Sequence, residues 1–378
     1  MTMLQIPQAD PGAAYRARKS ELDEAIARAL DSGWYILGKE VTAFEAEFAA
    51  YIGTGHAVGV ANGTDALALA LRGLGVGPAD AVATVSHTAV ATVAAIEMTG
   101  ATPVLIDIDE DFFTMDPAEL DAALAAPPGG VPIRAVIPVH LYGQAADLAP
   151  IMAAAGRHGA AVVEDCAQAH GATLDGRRLG SFGKAAAYSL YPTKNLAALG
   201  DGGIVTTPDE ELAGRLAALR QYGWRDRYVS DLVGVNSRLD ELQAAILRVR
   251  LACLDEDNGR RQAIAAIYDE QLADCSGDGF RLPVRRPGAT HVFHQYVVRS
   301  TDRDGLQKRL REEGIGTNVH YPVPVHLQPA YRGRLASGRG GLGRSEHSAQ
   351  TVLSLPMFPQ LSDEQAHQVC KAVRRCIA

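Results

Sequence analysis

No two cysteines in this chain stand at CxxC spacing, no long basic run occurs, and no apolar stretch is long enough to span a bilayer. The five cysteines (Cys166, Cys253, Cys275, Cys370 and Cys376) form an odd, scattered set. That suits free thiols in a reducing compartment better than a disulfide framework. With 36 Lys and Arg against 44 Asp and Glu, the net charge is −8, which argues against nucleic acid or an anionic membrane as the main partner. The longest uncharged apolar stretch, Ala81 to Ile96, is interrupted by Ser86, His87 and several threonines. The first residues show no basic-then-apolar pattern, since Asp10 and Pro11 follow a weak start. What is present is ordinary globular composition: 378 residues, 47% hydrophobic and 21% charged. That is enough for two or three domains at roughly 150 residues each, with a core that needs no metal or disulfide staple. The expectation is a soluble cytoplasmic enzyme with no membrane or nucleic-acid partner and no metal site.

Short apolar runs recur, each ending at or beside a polar residue and passing into a helical pattern. They are Ala57–Ala61, Ala81–Val85, Pro103–Ile108, Ala135–His140, Ala161–Asp165 and Ala185–Leu190. Buried strands without polar alternation, separated by helices such as Thr64–Leu74 and Leu148–His158, predict a largely parallel α/β sheet covered on both faces. Arg238–Arg250 carries Leu239, Leu242, Ile246 and Val249 at helical spacing. Composition shifts near Cys253–Arg261 and again near Ser276–Thr290, so residues 1–254 are read as a large domain and 255–378 as a smaller α/β domain. Gly333–Arg344 reads as a mobile basic surface loop or, more sharply, as a flap over an anionic ligand. Ligand groups are expected at the carboxyl ends of the strands.

Three segments there carry chemistry. Asn62-Gly63-Thr64-Asp65 follows a strand and opens a helix; Gly63 permits a tight turn and Thr64 can serve as N-cap, leaving amides for a phosphate. Ala161–Asp165 ends in an acid, which needs a cationic or proton-donating partner when buried. Lys194 follows a later strand within a nearly uncharged stretch, where its pKa falls and it can form a Schiff base with an aldehyde. Phosphate cradle, acid and lysine together are the apparatus for pyridoxal 5′-phosphate (PLP), with Ser189 as a further phosphate partner.

At this point the sequence resembles the DegT/DnrJ/EryC1/StrS family of nucleotide-sugar aminotransferases, within the fold type I (aspartate aminotransferase-like) PLP enzymes. The resemblance runs through ANGTDALALAL from Ala61, EDCAQAHGA from Glu164, GSFGKAAAYSLYPTKNLAALGDGG from Gly180, NSRLDELQAAILRVRL from Asn236 and GIGTNVHYPVPVH from Gly314. It implies that Lys194 holds the cofactor aldehyde and shuttles protons, that Asp165 pairs with the pyridinium nitrogen and that Gln168 contacts the ring hydroxyl. Gly63, Thr64, Asp65 and Ser189 would line the phosphate, and Asn236 would reach the phosphate of a neighbouring subunit, making an obligatory homodimer. His320 and Tyr321 would border the sugar, with His326 beside them; the two histidines could instead brace their proline-rich loop. Many relatives place an aromatic residue over the ring where this chain has Ala89, so His87 is read as a ring contact, or otherwise as a hydrogen-bonded structural histidine.

The resemblance implies transfer of the amino group of L-glutamate to a nucleotide-linked keto-sugar. The cradle and the segment from His87 resemble members acting on C3, which points to a dTDP-3-keto-6-deoxyhexose. A UDP-linked 3-keto sugar comes second, and a 4-keto-6-deoxy sugar is a further alternative. Lys194 argues against a PLP-dependent dehydratase, in which histidine replaces it. A catalytically silent regulator on the same fold is a remote alternative, and a Ser189–Lys194 hydrolase lacks a nucleophile elbow.

Overall fold

A computed structural model describes residues 5–277 and 279–377. Its central sheet has eight strands, in the order His56–Val60, Gly203–Thr207, Ala185–Ser189, Ala161–Asp165, Ile133–Val136, Ala81–Val85, Thr102–Ile106 and Ala336–Ser337. Gly203–Thr207 alone runs antiparallel to its neighbours in this sheet. The cause is local: no crossover helix separates it from Ala185–Ser189, so the chain turns back beside the strand it has just left. Lys194 lies in that connection.

The helix Gly63–Gly73 packs Ala66, Leu67, Leu69 and Leu71 into the core, as the alternation of alanine and leucine requires at such close approach to a sheet. Its N-cap is Asn62, whose side chain accepts from the Asp65 amide at 2.8 Å; Thr64 lies one place inside the helix rather than capping it, which corrects the sequence reading. The helix Lys39–Ile52 is capped from a distance: the buried Glu241 carboxylate accepts the amides of Gly38, Val41 and Glu40 at 2.7, 2.8 and 3.0 Å.

The C-terminal unit is an antiparallel sheet of Phe280–Arg281, Tyr296–Ser300 and Val352–Leu355, accompanied by the helices Leu254–Leu272, Arg303–Glu312 and Asp363–Ile377. Tyr268 and Tyr296 meet edge to face at 4.9 Å in its core, and each hydroxyl finds an acceptor, Pro356 O and Asp269. We infer a division at 254/255 with two exchanged segments. Ile6 lies in the C-terminal core, and Ala336–Ser337 returns to the large sheet. Gly333–Arg344 is therefore stitched down. The Gly338 amide donates to Leu105 O at 2.9 Å, and Arg344 binds Asp107 and Asp116. The exposed arginines and glycines of this segment concealed a strand only two residues long.

Candidate active site

The elements described above bring their chemical groups to one edge of the sheet. Asp165 ends the strand Ala161–Asp165, Ser189 ends Ala185–Ser189, His87 stands two residues past Ala81–Val85, and Lys194 follows Ser189 by five residues.

Asp165 is buried and accepts the Ala167 amide at 3.1 Å and the Thr92 hydroxyl at 2.9 Å. Burial pushes its carboxyl pKa up, while these two donors and the charge of Lys194 pull it back. Lys194 is partly buried, and desolvation lowers its pKa to about 8, with Asp165 opposing the shift. A minor but substantial share of free amine is thus present near neutral pH, beside a carboxylate.

Three imidazoles surround this pair: His170, His294 and His320. Burial first, and the Lys194 charge second, lower His170 to about 3, His320 to about 4 and His294 well below the ordinary histidine range. All three are neutral at pH 7. His170 was visible only as the end of the EDCAQAH run, and His294 carried no sequence signal.

Gln168 joins the two units of the chain. Its Oε1 accepts the Tyr142 amide at 2.8 Å and its Nε2 donates to the Tyr321 hydroxyl at 3.0 Å. Burial and the Asp165 charge raise Tyr321 to about 12, so it stays a phenol. The Tyr142 hydroxyl donates to the His320 carbonyl. Its one proton being spent, it accepts from His87 Nε2–H at 2.8 Å, which leaves His87 Nδ1 a bare acceptor with no partner among the described residues. His87 is fully buried against Phe113 and Tyr142, and burial lowers its pKa to about 4. His87 is therefore hydrogen-bonded through Nε2. Tyr142, which makes it possible, escaped the sequence analysis.

The cradle is tight. A Cβ on Gly63 would lie 2.6 Å from Ser189 Cβ, and one on Gly203 would lie 2.2 Å from Asn62 O. With the amides of Asp65 and Ala66 taken by the Asn62 side chain and carbonyl, those of Gly63 and Thr64 are the donors available to a phosphate, with Ser189 Oγ alongside. The Asp65 carboxylate would repel a phosphate; it is engaged instead with Ser237 Oγ at 2.6 Å, which ties that segment to the start of the helix. Asn236, next to Ser237, is exposed and lines a cavity of about 470 Å³ with Ile36, Asp201, Arg238 and Gln243.

His320 Nδ1 meets Ser354 Oγ at 2.8 Å. His326 is placed differently, between Ser86 Oγ at 2.6 Å and Glu346 at 3.1 Å. Ser86 is fully buried, so this serine–histidine–acid arrangement braces the proline-rich loop and offers no nucleophile to a substrate. His140, Glu164 and Cys166 bring ligand atoms within 4.8 Å of one another. Glu164, however, is filled by the amides of Gly180, Phe182 and Gly183 and by His140, and His140 Nδ1 by the Ala146 amide. The Glu164 oxygens and both His140 nitrogens are thus already engaged within the protein, and the cluster is a polar core.

These residues fit PLP: an acid for the ring nitrogen, a lysine of depressed pKa for the aldehyde, and a cradle closed to any Cβ. When bound, PLP supplies the aldehyde that carries the amine and the protonated ring that withdraws electrons. Sheet and site together define a PLP-dependent aminotransferase of fold type I.

The chain belongs to the DegT/DnrJ/EryC1/StrS aminotransferase family, which it matches over residues 16–374. It is 52% identical to a dTDP-3-amino-3,4,6-trideoxy-alpha-D-glucose transaminase of Streptomyces venezuelae, over 98% of this chain and 96% of that one. It is 42% identical to a UDP-N-acetyl-3-dehydro-alpha-D-glucosamine 3-aminotransferase of Acidithiobacillus ferrooxidans, over 98% of both chains. Among solved structures, S. venezuelae DesV in complex with a ketimine intermediate superposes with a TM-score of 0.94 at 52% identity, covering 98% of each chain.

Proposed function

We propose that this aminotransferase moves the amino group of L-glutamate to C3 of a dTDP-linked 3-keto-6-deoxyhexose. The observation that carries the reading is the 52% full-length identity to a transaminase named for a dTDP-3-amino sugar. The site supports it. Lys194, whose pKa of about 8 lies close to neutral pH, takes the proton from the amino-bearing carbon of glutamate and returns one to C3 of the sugar. Asp165 holds the charge of the ring nitrogen, Gln168 the ring hydroxyl, and Gly63, Thr64 and Ser189 the phosphate. Tyr321 and His320, fixed by Gln168 and Tyr142, form the sugar-side wall. A UDP-linked 3-keto sugar is the second reading, favoured by the relative that acts on such a sugar. Release of 2-oxoglutarate from L-glutamate, measured with dTDP-3-keto, UDP-3-keto and dTDP-4-keto sugars in turn, tests both. A preference for the 4-keto sugar would overturn the C3 assignment.

The working unit in this reading is a homodimer. Ser237 points to its own cradle through Asp65, and successive residues of an extended segment point to opposite sides, so Asn236 faces outward to a second copy. Trp34, Tyr35 and Ile36 are exposed apolar side chains, and Ile36 lines the same cavity as Asn236. Mixing inactive Lys194→Ala and Asn236→Ala subunits should restore part of the activity; no recovery would contradict shared sites. A cytoplasmic location is supported by the five free cysteines, and no described helix is long and apolar enough to cross a membrane.

A further inference from the structure

An ionised carboxylate accepts hydrogen bonds and donates none. At Asp165, Oδ1 takes the Ala167 amide at 3.1 Å and Oδ2 takes the Thr92 hydroxyl at 2.9 Å. Thr92 is fully buried and stands in the first turn of the helix Val90–Met98. Its single proton is committed to Asp165, so the 3.0 Å contact between the Thr88 and Thr92 hydroxyls has one consistent direction: Thr88 donates and Thr92 accepts. Two hydroxyls in series polarise each other, and the second is a stronger donor for it. They also bind one end of Asp165 to an element outside its own strand, while Ala167 binds the other. The carboxylate is thereby held at both oxygens, with its remaining lone pairs left for the site.

We propose that Thr92, oriented by Thr88, is a positioning residue that keeps the Asp165 carboxylate in one orientation for the cofactor's ring nitrogen. The proposal rests on the assignment of Asp165 to that nitrogen. Thr92 touches neither substrate nor reacting atoms; it acts through Asp165 alone. Its loss should therefore be felt by a ligand that has the nitrogen, and not by one that lacks it.

The test is equilibrium binding of PLP and of its carbocyclic analogue, in which C–H replaces the ring nitrogen, to apo wild type, Thr92→Val and Thr92→Ser. Removing one hydrogen bond to a charged group should weaken PLP binding by Thr92→Val about tenfold or more, leave the analogue within about twofold, and be rescued by Thr92→Ser. Equal weakening of both ligands, or of neither, overturns the role of Thr92. A wild type without preference for PLP over the analogue overturns the Asp165 assignment itself. Thr92→Ala carries the same comparison if the valine variant does not fold.

Discussion

Gly63 can be probed with a single methyl group. In Gly63→Ala the new Cβ would sit 2.6 Å from Ser189 Cβ, 3.0 Å from Ser189 Cα and 3.2 Å from Ser189 Oγ. Carbon atoms in contact settle at about 3.5–4.0 Å, so the overlap is about 1 Å. The obstacle is the backbone of a central strand, not the end of a flexible side chain. The helix Gly63–Gly73 must back away from the sheet, and overpacking of this kind costs about 1–3 kcal/mol. The same movement carries the Gly63 and Thr64 amides off the phosphate, so PLP should bind about tenfold to a hundredfold more weakly. Gly214→Ala is the control: it lies in the helix Glu210–Leu219, and its Cβ would meet nothing within 4 Å. There the change should stabilise by about 0.5–1 kcal/mol. Denaturant unfolding and PLP titration of the two variants read both effects. If Gly63→Ala kept wild-type stability and cofactor affinity, the cradle as described would be wrong.

Further outcomes follow from the buried groups. Glu164→Gln replaces an oxygen that accepts two donors by an amide that must face them, and should cost about 3–5 kcal/mol in unfolding free energy. Because its hydrogen bonds hold the folded Glu164 pKa down, its contribution is present above the unfolded carboxylate value and fades as pH falls through the folded one. The deficit of the glutamine variant should therefore narrow in acid. With Lys194 at about 8, about a tenth of the amines are free base at pH 7, against under about one in a thousand for an ordinary lysine. The rate of PLP capture by the apoenzyme should climb with pH and level off above about 8; a rise continuing to 10 would refute the shift. His326→Ala leaves Ser86 without its imidazole partner and should lower stability by about 1–3 kcal/mol, with the keto-sugar KM unchanged. A large KM change would return His326 to the sugar.

The sequence reading succeeded where one face or one edge decides the structure. Ala161–Asp165 and Ala81–Val85 have the predicted bounds, because apolar runs closed by a polar residue suit strands buried on both sides. Asp165, Lys194 and the glycine cradle were legible because their chemistry is unusual for their surroundings. What failed depends on partners distant in sequence. The role of Thr92 exists only because Asp165, 73 positions away, lies opposite it. His326 looks like a loop ligand until Ser86, 240 residues away, meets it. Asn62 took the cap from Thr64 because the helix begins at Gly63 itself, which moves the cap two residues earlier. Ala336–Ser337 gains strand character only from the free edge of Thr102–Ile106.

The central claim is that Lys194 is the residue through which the cofactor exchanges its amine. The most direct measurement is an absorbance spectrum of the purified protein with PLP, before and after L-glutamate, followed by borohydride reduction and peptide mapping. The account predicts a yellow protein that bleaches with glutamate and, when reduced before glutamate is added, carries the cofactor on Lys194. A cofactor fixed to any other lysine, or a spectrum that glutamate leaves unchanged, would contradict it.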